Sequence, residues 1–104
     1  ANVFIEWHLL PHYIQFSTLK AEGRKTIKSK PGRIREVNKE IEAFGAKVLS
    51  QYAVLGPYDF VNIVEAPNNE TIALVSVGLA SRGSIKIQTL AAIPIDVFIA
   101  KVKG

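Results

Sequence analysis

The chain contains no cysteine. Disulfides, thiolate zinc sites and thiol nucleophiles are therefore excluded. Histidine is scarce, with only His8 and His12. Their i, i+4 spacing suits a metal only on a helix, and Pro11 lies between them. Glu6 is the sole nearby carboxylate, so no metal site is expected. No apolar run reaches the ~18–20 residues that span a bilayer, and no membrane association is expected. Gly23-Arg24-Lys25-Thr26 lacks the earlier glycine of a phosphate loop. No Ser-His-Asp set stands out. The sequence implies no cofactor.

What is present describes one small folded unit. With 104 residues there is room for one domain. Apolar residues make up 48% of the chain, which excludes disorder by composition. A domain of this size buries little more than ~60% of its unfolded surface. Association with copies of itself is the expected additional stabilisation, so the first expected partner is the chain itself.

The net charge is +4, and eight of the 13 Lys and Arg residues fall between Lys20 and Lys39. Such a block attracts phosphates. No aromatic residues interleave with it, so no base-stacking platform is indicated and nucleic acid is not an expected partner. A solvated helix face accounts for the block. Polyanion binding is the second alternative function. Ala1 to Leu10 lacks the positive region of a signal peptide. Ala1 suits removal of an initiator methionine, and the expected compartment is the cytoplasm.

Tyr13 to Leu19 alternates with period two and reads as a half-buried strand. Lys20 to Lys30 reads as a loop with at most one irregular helical turn. Pro31 opens a helix whose apolar stripe is Ile34, Val37, Ile41 and Phe44, and Gly45 ends it. Ala46 to Leu55 is a strand of ambiguous register, because Val48 and Leu49 each suit the inward position. Gly56-Pro57 turns the chain into a third strand, Tyr58 to Glu65. Asn68 or Asn69 caps a second helix with the stripe Ile72, Val75 and Leu79. Ser84 to Ala92 alternates again, with Ile85, Ile87 and Thr89 opposing Lys86, Gln88 and Leu90. A short amphipathic helix follows Pro94, carrying Ile95, Phe98, Ile99 and Val102. The order βαββαβ specifies an α+β, ferredoxin-like domain: a four-stranded antiparallel sheet with both main helices on one face.

The other sheet face then matters for function. The expected registers place Tyr13, Gln15, Ser17, Phe60, Asn62, Val64, Lys86, Gln88 and Leu90 on it. That mixture is too apolar for open solvent and too polar for a dry core. A second subunit packed on it, or the C-terminal helix folded back over it, resolves the conflict. Tyr13, Gln15, Asn62 and Gln88 become candidate ligand-binding residues between packed sheets. Phe60 and Leu90 become candidate oligomer contacts. Residues 1–12 form an apolar extension ahead of the domain of residues 13–104. Phe4 and Trp7 are expected to dock on a neighbouring subunit.

At Leu55 to Pro67 (LGPYDFVNIVEAP) the chain resembles the GYD-domain family, through Gly56-Pro57-Tyr58-Asp59. The similarity runs from about Tyr13 to about Phe98 and includes Gly45 to Tyr52 and Ile85 to Leu90. The resemblance implies a ferredoxin-like fold related to dimeric α/β-barrel proteins, and little about chemistry. Tyr58, Asp59 and His12 are the catalytic candidates. Asp59 suits a proton acceptor and Tyr58 a hydrogen-bond donor, but an aspartate after Gly-Pro also satisfies turn N–H groups, and a strand tyrosine also packs. Whether the chain is an enzyme stays open. The leading expectation is a homo-oligomeric module binding a small ligand between packed sheets. The first alternative is a small cofactor-free isomerase or oxygenase.

Overall fold

The computed structural model describes residues 10–104. The chain runs through β1 (His12–Leu19), α1 (Ala21–Ser29), α2 (Arg33–Ala43), β2 (Lys47–Ala53), β3 (Phe60–Glu65), α3 (Asn69–Ala80), β4 (Ile85–Ala92) and α4 (Ile95–Lys103). The strands form one antiparallel sheet in the order β2-β3-β1-β4, which is the ferredoxin-like arrangement. Among the described residues, no helix is long and apolar enough to cross a membrane. The extension's Phe4, Trp7 and His8 lie outside the described residues.

The two main helices form where their sequences place them, although α2 starts at Arg33 with Gly32 as its N-cap rather than at Pro31, and Phe44, expected in its apolar stripe, is the C-cap and is exposed. α2 buries Ile41, and the chain leaves it through Gly45 at φ +99°, a left-handed conformation that glycine adopts without steric cost. The Asn68 side chain accepts a hydrogen bond from the Thr71 N–H and so caps α3. The buried face of α3 is Ile72, Val75 and Leu79. The register of β2 is settled by a bulge between Val48 and Ser50. Val48 packs against the core, and Leu49 turns out to solvent.

Three expectations are corrected. The segment Lys20 to Lys30 is a nine-residue helix, α1, rather than a loop. Its Gly23 is buried hard against the Ser84 carbonyl, and the Lys20 N–H donates to that same carbonyl at 2.9 Å. Tertiary contact with the start of β4 thus holds a segment whose own sequence signals are weak. The second correction concerns the sheet faces. β1 and β3 are paired in the expected phase, but both are turned over relative to β4. Tyr13, Gln15 and Ser17 stand beside Val64, Asn62 and Phe60 on one side and Ala91, Thr89 and Ile87 on the other. This is the helix-covered face, where Val64 and Tyr13 join Ile41, Ile72 and Val75 in the core. Two of the polar members, Tyr13 and Gln15, are bonded there. The Tyr13 hydroxyl donates to Asn69 Oδ1 at 2.6 Å, and Gln15 Nε2 lies 3.5 Å from Ser76 Oγ and 3.4 Å from Thr89 Oγ1. The open face instead carries Ile14, Phe16, Val61 and Ile63 with Lys86, Gln88 and Leu90, and is more apolar than expected. Third, α4 does not fold back over this face. None of its residues is buried, and Ile95, Phe98, Ile99 and Val102 remain exposed.

Candidate functional site

Two features carry the functional interest: the Gly-x-Tyr-Asp turn and a cavity beneath the helices. In the turn, Gly56 takes φ +107°, which lets the chain reverse from β2 into β3. The Tyr58 ring lies against Phe16 with centroids 4.6 Å apart, and its hydroxyl donates to Gln88 Oε1 at 2.9 Å. It therefore bridges β1 and β4 across the open face. Asp59 is a clamp. Its N–H donates to the Ser17 carbonyl at 2.8 Å, its carbonyl accepts from the Val54 N–H at 2.9 Å, and its Oδ2 accepts from the Leu19 N–H at 2.7 Å. One residue thus ties the ends of three strands.

This geometry predicts a specific stability pattern. Asp59→Ala removes a charged acceptor from a part-buried N–H and should cost about 1.5–3 kcal/mol. Asp59→Asn keeps an acceptor and should cost less than half of that. Urea denaturation of both variants checks the ordering, and equal losses would refute the clamp.

His12 is not brought to the other two catalytic candidates, Tyr58 and Asp59. His12 opens β1 and Asp59 binds its far end at Leu19, seven residues along, which is roughly 23 Å of extended chain. His12 donates from Nδ1 to the Leu10 carbonyl, at 2.7 Å. Among the described residues, no group of three His, Asp or Glu side chains is placed to hold a metal. The candidate ligand residues also separate. Tyr13, Gln15 and Asn62 lie under the helices, whereas Gln88 faces the open side. Of the proposed oligomer contacts, Phe60 lies on the helix side and lines the cavity, while Leu90 is 47% exposed on the open face.

The cavity has a volume of about 260 Å³ and lies between the sheet and α1, α2 and α3. Its apolar wall includes Leu19, Ile27, Ile34, Val37, Leu79 and Ile87. Its lining includes Gln51, Asn62 and Gln15, three members of a polar row. Gln51, Asn62, Gln15 and Thr89 are register partners on successive strands, so they run side by side across the whole sheet. Three of the four are satisfied. Gln51 exchanges two hydrogen bonds with Asn38, at 2.8 and 3.1 Å. Gln15 and Thr89 share Ser76. Asn62 is only 7% exposed, and its Oδ1 has no hydrogen-bond partner. A buried acceptor in that state is rare and costly.

Among the described residues, charge enters the cavity wall only through Arg33 and Arg82. Arg33 bonds Glu36 at 2.9 Å and approaches Glu40 at 3.5 Å, and Arg82 bonds the other oxygen of Glu40. The hydrogen bond from Arg82 holds the Glu40 carboxyl below its usual range against the opposing effect of burial, with the nearby Arg82 and Arg33 charges assisting. The Arg33 guanidinium is raised, first by its hydrogen bond to Glu36. Burial raises the Tyr13 phenol, with Glu70 adding to it, so Tyr13 stays a donor. Sequence reasoning missed Arg33, Arg82 and Gln51. The available signal was polar residues recurring in step on neighbouring strands, and it becomes readable once the face of β1 is known.

Fold and turn together define the class: the chain belongs to the GYD domain family, whose model matches residues 13–102. Within that class it is 53% identical, over 95 residues, to a protein of Thermus thermophilus named glutamine synthetase and cystathionine beta-lyase binding protein. The match covers 90% of this chain and 100% of that one. Solved structures share the fold at lower identity. MtbAldR matches with a TM-score of 0.61 and 21% identity over 81% of this chain. A feast or famine regulatory protein from M. tuberculosis, complexed with L-methionine, matches with a TM-score of 0.58 and 17% identity over 90% of it. This chain spans only about half of those two proteins, 52% and 56% of their lengths.

Proposed function

We propose that this chain is a homo-oligomeric binding module whose partners are metabolic enzymes, with glutamine synthetase and cystathionine beta-lyase the first to test. The observation that carries the reading is the 53% identity to a protein named for binding those two enzymes, a match that spans that relative's full length. Two surfaces support it. The open sheet face, with Ile14, Phe16, Val61, Ile63 and Leu90, is an apolar surface suited to a second copy. The stripe Ile95, Phe98, Ile99 and Val102 of α4 is a separate exposed surface suited to a partner helix groove. Tyr58 and Asp59 serve the turn, so no observation favours the cofactor-free enzyme. The module would work in the cytoplasm beside its enzymes.

Light scattering of the purified chain and titration calorimetry against each enzyme test the proposal. A molar mass above that of one chain is expected, reduced by Leu90→Asp. Dissociation constants of roughly micromolar or better are expected, weakened about tenfold by Phe98→Asp. A monomer that binds neither enzyme would overturn the reading. Retention on a polyanion that falls steeply with salt would favour the Lys20 to Lys39 block instead.

A further inference from the structure

Two apolar segments leave the sheet at one place. β1 begins at His12 and β4 ends at Ala92, and these two residues are register partners on adjacent antiparallel strands. The chain ahead of His12 and the chain behind Ala92 therefore start from points only about 5 Å apart. Leu10, His12, Ala92, Ile93, Pro94 and Val97 line one depression there, with a volume of about 270 Å³. We propose that residues 2–9 of the same chain lie along the apolar stripe of α4 and cover it, and that an enzyme partner binds by displacing them. The displacement rests on the partner reading above, whereas the cover does not.

α4 supplies the need. It has nine residues and none of them is buried. Ile95, Phe98, Ile99 and Val102 are exposed, and so is Ile93 just before the helix. A helix shorter than about 12–15 residues is marginal in water unless its apolar face packs on a neighbour. A contiguous exposed apolar surface of this kind marks a contact. Residues 2–9 supply the match. They include Val3, Phe4, Ile5, Trp7 and Leu9, and Leu10 behind them already lines the depression beside Pro94 and Val97. At roughly 3.3 Å per residue, eight residues reach about 26 Å, whereas α4 is about 14 Å long. Charge agrees with this path. The one charged side chain among residues 2–9 is Glu6, and the last turn of α4 carries Lys101 and Lys103. A segment that starts beside Val97 and follows α4 brings Glu6 to that turn, because four residues span up to about 13 Å.

Trp7 is the chain's one tryptophan, so its fluorescence reports on the segment directly. In the full chain its emission should lie to the blue of the urea-unfolded chain and resist quenching by acrylamide. Phe98→Asp and Ile95→Asp should each move the emission to the red and open it to the quencher. Leu74→Asp, on the exposed outer side of α3, should leave it unchanged, as should Leu90→Asp on the open sheet face. Deleting residues 1–9 should speed amide hydrogen exchange in α4 about tenfold, because the helix loses its packing. The deletion should also tighten binding of each enzyme about tenfold, since a surface that is mostly covered binds with an affinity reduced by its open fraction. Trp7 emission that already matches the unfolded chain, or that ignores both α4 variants, would overturn the cover. A shift caused by Leu74→Asp would overturn it too, by placing the segment on α3. A shift caused by Leu90→Asp, or a smaller assembly after the deletion, would place it on a neighbouring subunit and overturn it likewise. Enzyme binding left unchanged or weakened by the deletion would overturn the displacement. If neither the full nor the shortened chain binds either enzyme, the partner reading fails, and Trp7 still decides the cover.

Discussion

Ile41→Ala should destabilise the domain by roughly 2–5 kcal/mol, the range for removing a buried isoleucine's methyl and methylene groups. Ile41 is 1% exposed and sits where α2 meets Val64 on β3 and Val75 on α3. It also borders the cavity. Truncation therefore enlarges an existing space that rigid neighbours cannot close, which places the cost in the upper half of the range. Domains of this size have only about 5–15 kcal/mol in total, so the variant approaches the threshold of folding. Ile41→Val should cost about 0.5–1.5 kcal/mol. Urea denaturation of both variants provides the measurement. A loss below about 1 kcal/mol for the alanine variant would mean that α2 settles into the gap and that the cavity is deformable.

Gly23→Ala should be the most damaging single added methyl group. A Cβ at this position would lie 2.3 Å from the Ser84 carbonyl oxygen and 3.1 Å from Leu19 Cδ2. The obstructing atom is backbone, so rotation of a side chain cannot relieve the clash. α1 must instead lift from the start of β4, and the 2.9 Å bond from the Lys20 N–H to Ser84 is lost with it. Overpacking of this kind costs about 1–3 kcal/mol. For a domain near this size that is roughly 5–20 °C in melting temperature. Gly32→Ala is the control. A Cβ there meets nothing within 4 Å, and Gly32 has φ −63°, which alanine adopts readily. It should be neutral or stabilising by a few tenths of a kcal/mol. Calorimetric melting of both variants decides the matter. Equal melting temperatures would show that α1 is not anchored at Ser84.

The corrections to α1 and to the sheet share a cause. α1 carries a block of positive charge and no strong cap, and its Lys20 N-cap makes no side-chain bond. What holds it is the glycine-to-carbonyl approach across a separation of about sixty residues, which no local pattern encodes. In β1 the alternation itself was legible, but which half faces inward was not. Ile14 and Phe16 look like the buried half by hydropathy. Gln15 and Ser17 take that place, with Gln15 held by Ser76 and Thr89 from distant parts of the chain. Because side-chain direction in a strand has period two, that one inversion moved every candidate on β1 and β3 to the opposite face.

Taken alone, the sequence determined the order of the four strands, the two main helices and the C-terminal helix, the α+β layout, the helix stripe Ile72, Val75 and Leu79, the left-handed exit at Gly45 and the inward set of β4. These are short-range properties, set by backbone sterics and by the spacing of apolar residues along one element. The tertiary structure alone decided which strand face the helices cover, that Asp59 is a clamp, that Gln51, Asn62, Gln15 and Thr89 form one row, and that Arg33 and Arg82 meet at Glu40. Those depend on pairing between strands far apart in the chain. A buried polar group's cost can only be assessed once its partners, or their absence, are known.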